Sequence, residues 1–307
     1  MLRLTYVILA HHKPHQLRRL IYRLDDGHCL FFIHIDLKKN IRKFESALSD
    51  VSFKERIHFV KKRENGKWGR FGFVQALLNS MNELVESQLE FDYVVLLSGV
   101  DYPLVPTKRI HEKLSENQAR TIYIFYEPID PLIVPHISPR LTQYHIPIHP
   151  WRTLTYPYVE TSLARKAVNF LIRSTGLLPL PRKIPLDHTP FYGLHWSCLP
   201  NFSVQYILDF VREHPEYVKF FRYTSLAEES FFCTMLVNSS DPGIQNNLVR
   251  EILTYTQWDR GHELYRTPIM LWEFENLKNS GKLFARKFDA DVTPELLDAI
   301  DAYIDSF

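Results

Sequence analysis

DYVVLLSG, residues 92–99, is an apolar run that lasts without a break until Ser98 and Gly99 close it. A half-solvated strand alternates apolar and polar residues, whereas an unbroken run of this length fits a strand covered on both faces, as in a parallel sheet. Similar runs lie on either side: LTYVILA (4–10), CLFFIHID (29–36), IHFV (57–60) and TIYIFY (121–126). Helical patterns separate them at 15–24, 71–88 and 107–118. In the second of these, Val74, Leu77, Leu78, Met81, Leu84 and Val85 recur at three- and four-residue steps, one face of a helix. The alternation of strand and helix predicts an α/β fold with a doubly wound, mainly parallel twisted sheet flanked by helices. Ligands are expected beyond the C-terminal ends of its strands.

Two aspartates stand at such ends. Asp36 closes the second strand, where a carboxylate can grip a ribose or base or can simply shape a turn. Asp101 follows Ser98 and Gly99 and reads either as a ligand contact or as a turn residue before Pro103. Gly99 would let a ligand approach the backbone. Neither G-x-G-x-x-G nor G-x-x-x-x-G-K-[ST] occurs, so dinucleotide and P-loop chemistry have no support. Trp68-Gly69-Arg70 precedes the second helix, and Arg70 is placed to reach a phosphate or to remain solvated.

The chain has 307 residues, 45% hydrophobic and 23% charged, with a net charge of +2. It can bury a substantial core and carries no nucleic-acid signature. Cys29, Cys198 and Cys233 are few, far apart and in apolar contexts, which predicts a reducing compartment and no zinc site. The N-terminal apolar run is too short for a signal peptide and reads as the first strand. No uninterrupted stretch reaches the ~20 residues of a membrane span. The apolar patch 167–180 reads as a buried helix in preference to a membrane-surface contact.

Residues 127–190 are rich in Pro, His, Tyr and Arg, with one helix expected at 161–174. A segment this long and irregular is usually functional. Its aromatic and basic residues, Trp151 foremost, suit a sugar platform or an ordered loop. Order returns with FYGLHWSCL (191–199), a helix at 201–213, a glutamate-bearing helix from about 226 and a strand LVREILTY (248–255). In SLAEESFFCTMLVNS (225–239), Ser225 and Glu228 have capping-box spacing, which assigns Glu228 to the helix start and leaves Glu229 without a structural task. A first-turn carboxylate stays ionised near the helix dipole, as a general base requires. Arg266, Arg286 and Lys287 could neutralise a leaving diphosphate. Asp289-Ala290-Asp291 has the spacing of a D-x-D metal motif, but it follows the last core element. Asp291 and Thr293 are better read as capping the final helix.

Eight segments together resemble the core-2/I-branching β-1,6-N-acetylglucosaminyltransferases and the related peptide O-xylosyltransferases of glycosyltransferase family 14. They are TYVILAHHKP (5–14), FFIHIDLK (31–38), ENGKWGRFGFVQALLNSMNEL (64–84), YVVLLSGVDYPL (93–104), FYGLHWSCLPNFSVQYIL (191–208), AEESFFCTMLVNSS (227–240), NNLVREILTYTQW (246–258) and LFARKFD (283–289). The resemblance implies a GT-A-like single domain over 1–307, with a Rossmann-like nucleotide-sugar half to about residue 126 and an acceptor half beyond it. It further implies inverting transfer from a UDP-sugar with no metal or other cofactor. By position it puts the general base on Glu229, the diphosphate contacts on Lys287 and Arg266, and nucleotide-sugar contacts on Asp36, Trp68, Arg70 and Asp101. Trp196 falls on the acceptor-side strand, and Trp151 joins it as an acceptor contact from the aromatic segment. Membrane anchor, stem and disulfides of eukaryotic members have no counterpart, so a bacterial, cytoplasmic enzyme is expected. Its acceptor would be a surface glycan or glycolipid, reached with or without peripheral membrane contact. GlcNAc leads as the donor sugar. Xylose is the alternative, and a catalytically silent nucleotide- or sugar-binding homologue is a rival of another class.

Overall fold

The computed structural model describes residues 1–130, 137–149, 152–157, 163–176, 178, 181–256 and 267–307. Its strands are β1 (Leu4–Ala10), β2 (Leu30–Ile35), β3 (Ile57–Phe59), β4 (Tyr93–Ser98), β5 (Asp101–Pro103), β6 (Ile122–Pro128), β7 (Tyr144–His149), β8 (Arg152–Tyr156), β9 (Phe191–Pro200), β10 (Leu248–Arg250), β11 (Thr254–Tyr255) and β12 (Phe284–Arg286). Seven of them form one sheet in the order β10-β6-β9-β4-β1-β2-β3. β1 is buried along its whole length and pairs in parallel with β2 on one side and β4 on the other. The architecture is mixed α/β with a mainly parallel central sheet, as the strand pattern predicts.

Successive side chains of a strand point to opposite faces, and here each face has its own core. Tyr6, Ile8, Phe31 and Ile33 face the helix Pro14–Leu24 and the C-terminal helix Pro294–Asp305. Val7, Leu9, Phe32 and Leu96 face the helix Gly72–Glu86, which buries Val74, Leu77, Leu78, Met81 and Leu84 as its periodicity predicts. The helices Asn201–Glu213 and Phe231–Val237 complete that layer.

β9, whose direction the sequence left open, runs antiparallel to both of its neighbours, β4 and β6, in the middle of the sheet. Three expectations are corrected. The strand expected at 248–255 is two short strands: β10 pairs with β6, and β11 belongs to a second sheet of order β11-β12-β5. The glutamate helix begins as a 3₁₀ turn, Ala227–Glu229, entered through Leu226 at φ 51 with no side-chain cap, so the Ser225–Glu228 capping box does not form. Thr293 likewise makes no side-chain cap on the final helix, its hydroxyl donating to the Ile269 carbonyl at 3.2 Å instead.

The reading of the apolar patch 167–180 as a buried helix is also corrected for its described residues. The helix Leu163–Ser174 leaves Phe170 74% and Leu171 68% exposed. Among the described residues, no helix is long and apolar enough to cross a membrane.

Candidate active site

The C-terminal ends of β1, β2 and β4 form one edge, and most of the chemically suggestive residues gather along it. Asp36 is buried there. Its Oδ1 accepts from the Lys38 amide at 2.8 Å and its Oδ2 from the Gly66 amide at 3.0 Å. Asp36 thus anchors the loop that leads to Trp68-Gly69-Arg70, and each carboxylate oxygen keeps a further lone pair. Gly99 lies so close to β1 that a Cβ there would sit 3.1 Å from the Ala10 Cβ. The close approach explains the glycine in the turn that leads to Asp101.

Asp101 is fully buried and accepts from the Ser98 amide at 2.8 Å, the Ser98 hydroxyl at 2.6 Å and Arg286 Nε at 3.0 Å. Burial raises its pKa, opposed by Arg286 and Ser98. The same burial lowers the pKa of Arg286, and Asp101 opposes that shift. Three donors on one carboxylate and a close countercharge are what a buried ion pair needs to offset desolvation. The register of β12 against β5 sets Arg286 opposite Asp101. The Arg286 guanidinium lies over Trp196, 3.8 Å from its ring centroid. Trp196, expected on the acceptor side, is itself buried and serves as the platform for Arg286. Lys287 follows at the surface, where desolvation of its ammonium and the adjoining Arg286 charge lower its pKa.

The second group surrounds the glutamate turn. The Leu226 amide donates to the Gly69 carbonyl at 3.3 Å, so this turn docks on the loop whose other end Asp36 holds. Gly69 has φ +75, which favours glycine at this junction. Trp68 is 82% exposed, and Arg70 donates through Nη2 to the His149 carbonyl at 2.9 Å. Glu229 is partly exposed and forms an ion pair with Arg140, from the short helix Ser138–Thr142. Glu228 is buried, and its Oε2 has no hydrogen-bond partner among the described residues. Burial, helped by the Glu229 charge, pushes Glu228 up to about 7.

The start of the helix Gly72–Glu86 joins the two groups. Phe71 meets Phe231 edge-on at 5.7 Å, while Phe73 meets His195 at 4.6 Å and Trp196 at 6.2 Å. His195 is buried with neither ring nitrogen bonded among the described residues, and burial followed by the Arg286 charge keeps it neutral. A third tie comes from Gln16, fully buried, which donates to the Phe288 carbonyl at 3.1 Å and accepts from the Ala290 amide at 2.8 Å.

Asp289 and Asp291 are both paired with Lys13, and Asp291 also lies 3.2 Å from His15. Lys13 therefore already occupies both D-x-D carboxylates. Trp151 and Arg266 lie outside the described residues. Arg140, Gln16 and His195 are contributors that sequence reasoning did not single out.

Residues 4–278 match the Core-2/I-Branching enzyme family. The chain belongs to that family. The match stops short of Arg286 and Lys287. Among curated proteins it is similar to xylosyltransferase 2 of Rattus norvegicus, 24% identical over 99% of this chain and 34% of that protein. It is also similar to xylosyltransferase 1 of Mus musculus, 23% identical over 98% of this chain and 30% of that protein. The chain thus spans about a third of the length of the relatives it matches. A solved galactosyltransferase, LgtC with donor and acceptor sugar analogues, superposes with a TM-score of 0.46 at 9% identity, covering 97% of this chain and 95% of that one.

Proposed function

We propose that this chain is an inverting glycosyltransferase of the GT-A type. It moves a sugar, GlcNAc foremost, from a UDP donor to a hydroxyl of a glycan or glycolipid, and it does so without a bound metal. One observation carries the reading. The Glu229 turn is tied through Gly69 to the loop that Asp36 anchors, at the same sheet edge where Arg286 and Lys287 present adjacent cations.

In the proposed step, Glu229 takes the proton of the acceptor hydroxyl, whose oxygen attacks the anomeric carbon from the face opposite UDP. The bond from that carbon to the diphosphate oxygen breaks, and the electron pair leaves with UDP. Lys287, with Arg266 as the resemblance implies, neutralises the departing diphosphate, the task a metal ion performs elsewhere. Arg286 is fixed between Asp101 and Trp196 and adds positive charge beside Lys287. Asp36, Trp68 and Arg70 belong to the nucleotide-sugar side in this reading. Arg140 holds Glu229 until an acceptor arrives.

The names of the relatives favour a second donor, UDP-xylose. Exposed Phe170 and Leu171 suit an acceptor presented at a lipid surface.

The test is UDP release from a panel of UDP-sugars in EDTA, run on the wild type and on Glu229→Gln. General-base catalysis contributes ~10²–10⁴-fold, so the variant should lose about that much turnover and keep its affinity for UDP. Full activity in Glu229→Gln would remove it as the base. A requirement for divalent metal would overturn the metal-free step. Binding of UDP-sugars with no turnover at any pH would identify a silent homologue.

A further inference from the structure

A groove of about 1240 Å³ runs between the helix Gly72–Glu86 and the pair Asn201–Glu213 and Pro215–Arg222. Its charge is mainly positive, with five cationic side chains (Arg212 among them, paired with Asp209) against Glu83 and Glu86. Lys61, Lys62, Lys219 and Arg222 line it, all four are exposed, and none has an ion-pair partner among the described residues. The two lining carboxylates are already engaged. Glu83 accepts from the Lys61 and Lys62 amides at 2.9 and 2.8 Å, which fixes those two lysines on the rim, and Glu86 accepts from Asn82 at 2.6 Å. Leu78 and Val211 give the groove an apolar floor.

One end reaches the catalytic edge. The Arg222 guanidinium lies 6.0 Å from the Phe71 ring, and Phe71 follows Arg70 in the loop that receives the Glu229 turn.

We infer that this groove binds an anionic glycan, laid along the helix Gly72–Glu86 with its reacting end towards Glu229. The inference rests on the transferase reading and names the chemical class of its acceptor. Four unpaired cations attract carboxylate, sulfate or phosphate groups spaced along a chain. The apolar floor fits the C–H faces of sugar rings, and the reacting hydroxyl is a group every sugar unit carries. A single-stranded nucleic acid would want several aromatic rings to stack on, and among the described residues Tyr223 is the one aromatic side chain that lines this groove.

The test is a calorimetric titration, without any sugar nucleotide, of the full chain with a galacturonic acid hexasaccharide and with neutral maltohexaose. The acidic hexasaccharide should bind at least about tenfold more tightly, and the difference should shrink between about 50 and 300 mM salt as screening increases. Lys61→Ala/Lys62→Ala/Lys219→Ala should lose about tenfold for the acidic sugar at an unchanged thermal midpoint. The corresponding triple Lys→Arg variant should keep it.

Equal affinity for the two sugars, or an alanine variant that binds like wild type, would overturn the inference. So would lysine-dependent binding to phosphatidylglycerol vesicles, or to a glutamate hexapeptide, with no binding of the acidic sugar. A chain that binds the acidic sugar but turns over no donor would keep the groove and lose the transferase reading.

Discussion

Glu228 and Glu229 are adjacent in sequence and sit in different electrostatic worlds. Glu229 keeps partial contact with water and an arginine partner, whereas Glu228 is buried with one oxygen unbonded among the described residues. Burial of this kind favours the protonated form of Glu228. A consequence for stability follows. In the unfolded chain Glu228 ionises near the usual 4.5, but in the folded protein it keeps its proton to about 7. Between those values the folded state binds more protons, so this group's contribution to stability is fully present below about pH 4.5 and is lost as pH rises through 7. The full swing is on the order of 3 kcal/mol. Urea midpoints at pH 5 and pH 8 should therefore fall with pH in the wild type and fall less in Glu228→Gln. Parallel slopes in the two proteins would mean that Glu228 is ionised in the fold throughout.

At the scale of elements, the placement of β9 decides where the cationic half of the site lies. It enters the sheet against the direction of its neighbours and carries a register shift opposite Tyr123 and Phe125. The shift falls at His195–Ser197, and with it Trp196 comes to lie under Arg286. Gly193 permits the pairing, since a Cβ there would stand 1.9 Å from the Phe125 carbonyl oxygen. Gly193→Ala should push β9 off β6, cost about 2 kcal/mol or more and lower the thermal midpoint by roughly 5 °C. UDP affinity should fall with it as Arg286 loses its platform. A melt that superposes on the wild type would show that β6 yields at no cost.

Such elements also mark how far the sequence could be read. β1, β2, β4 and the helix Gly72–Glu86 lie within a residue or two of their expected bounds, because apolar runs and a 3.6-residue period are local signals. Strand direction is not local, so β9 was legible as a strand but not as antiparallel. The capping box failed because Leu226, left-handed and docked on the distant Gly69 carbonyl, starts the turn one residue later and leaves Glu228 out of the third position. Arg140 was invisible for the same reason, since it lies in a stretch without periodicity, 89 residues from its partner Glu229. Asp36 and Asp101 were found at strand ends because the fold class dictates where to look. Their hydrogen bonds could not be read, since loops supply the donors.

At the scale of the whole molecule, the two ends of the chain hold the site together from behind. The helix Pro294–Asp305 packs Leu296, Leu297, Ile300 and Ile304 against the face that β1, β2 and the helix Pro14–Leu24 present. Arg19 reaches Asp298 at 2.6 Å and Asp301 at 2.7 Å, and Arg23 reaches Asp301 at 2.7 Å and Asp305 at 2.6 Å. Burial and charge make different predictions here. Each buried aliphatic side chain contributes about 1.5–3 kcal/mol, so the four together are comparable to the ~5–15 kcal/mol that stabilises a typical domain. Partly exposed ion pairs contribute about 0–1 kcal/mol each. Ending the chain after Val292 retains Arg286 and Lys287 yet should abolish cooperative melting and UDP binding together. Arg19→Ala/Arg23→Ala should lower the midpoint by only a few degrees and leave UDP binding nearly intact. If the shortened chain still melted cooperatively near the wild-type temperature, the C-terminal helix would be an appendage, and Gln16 with β12 would suffice to hold the cationic edge in place.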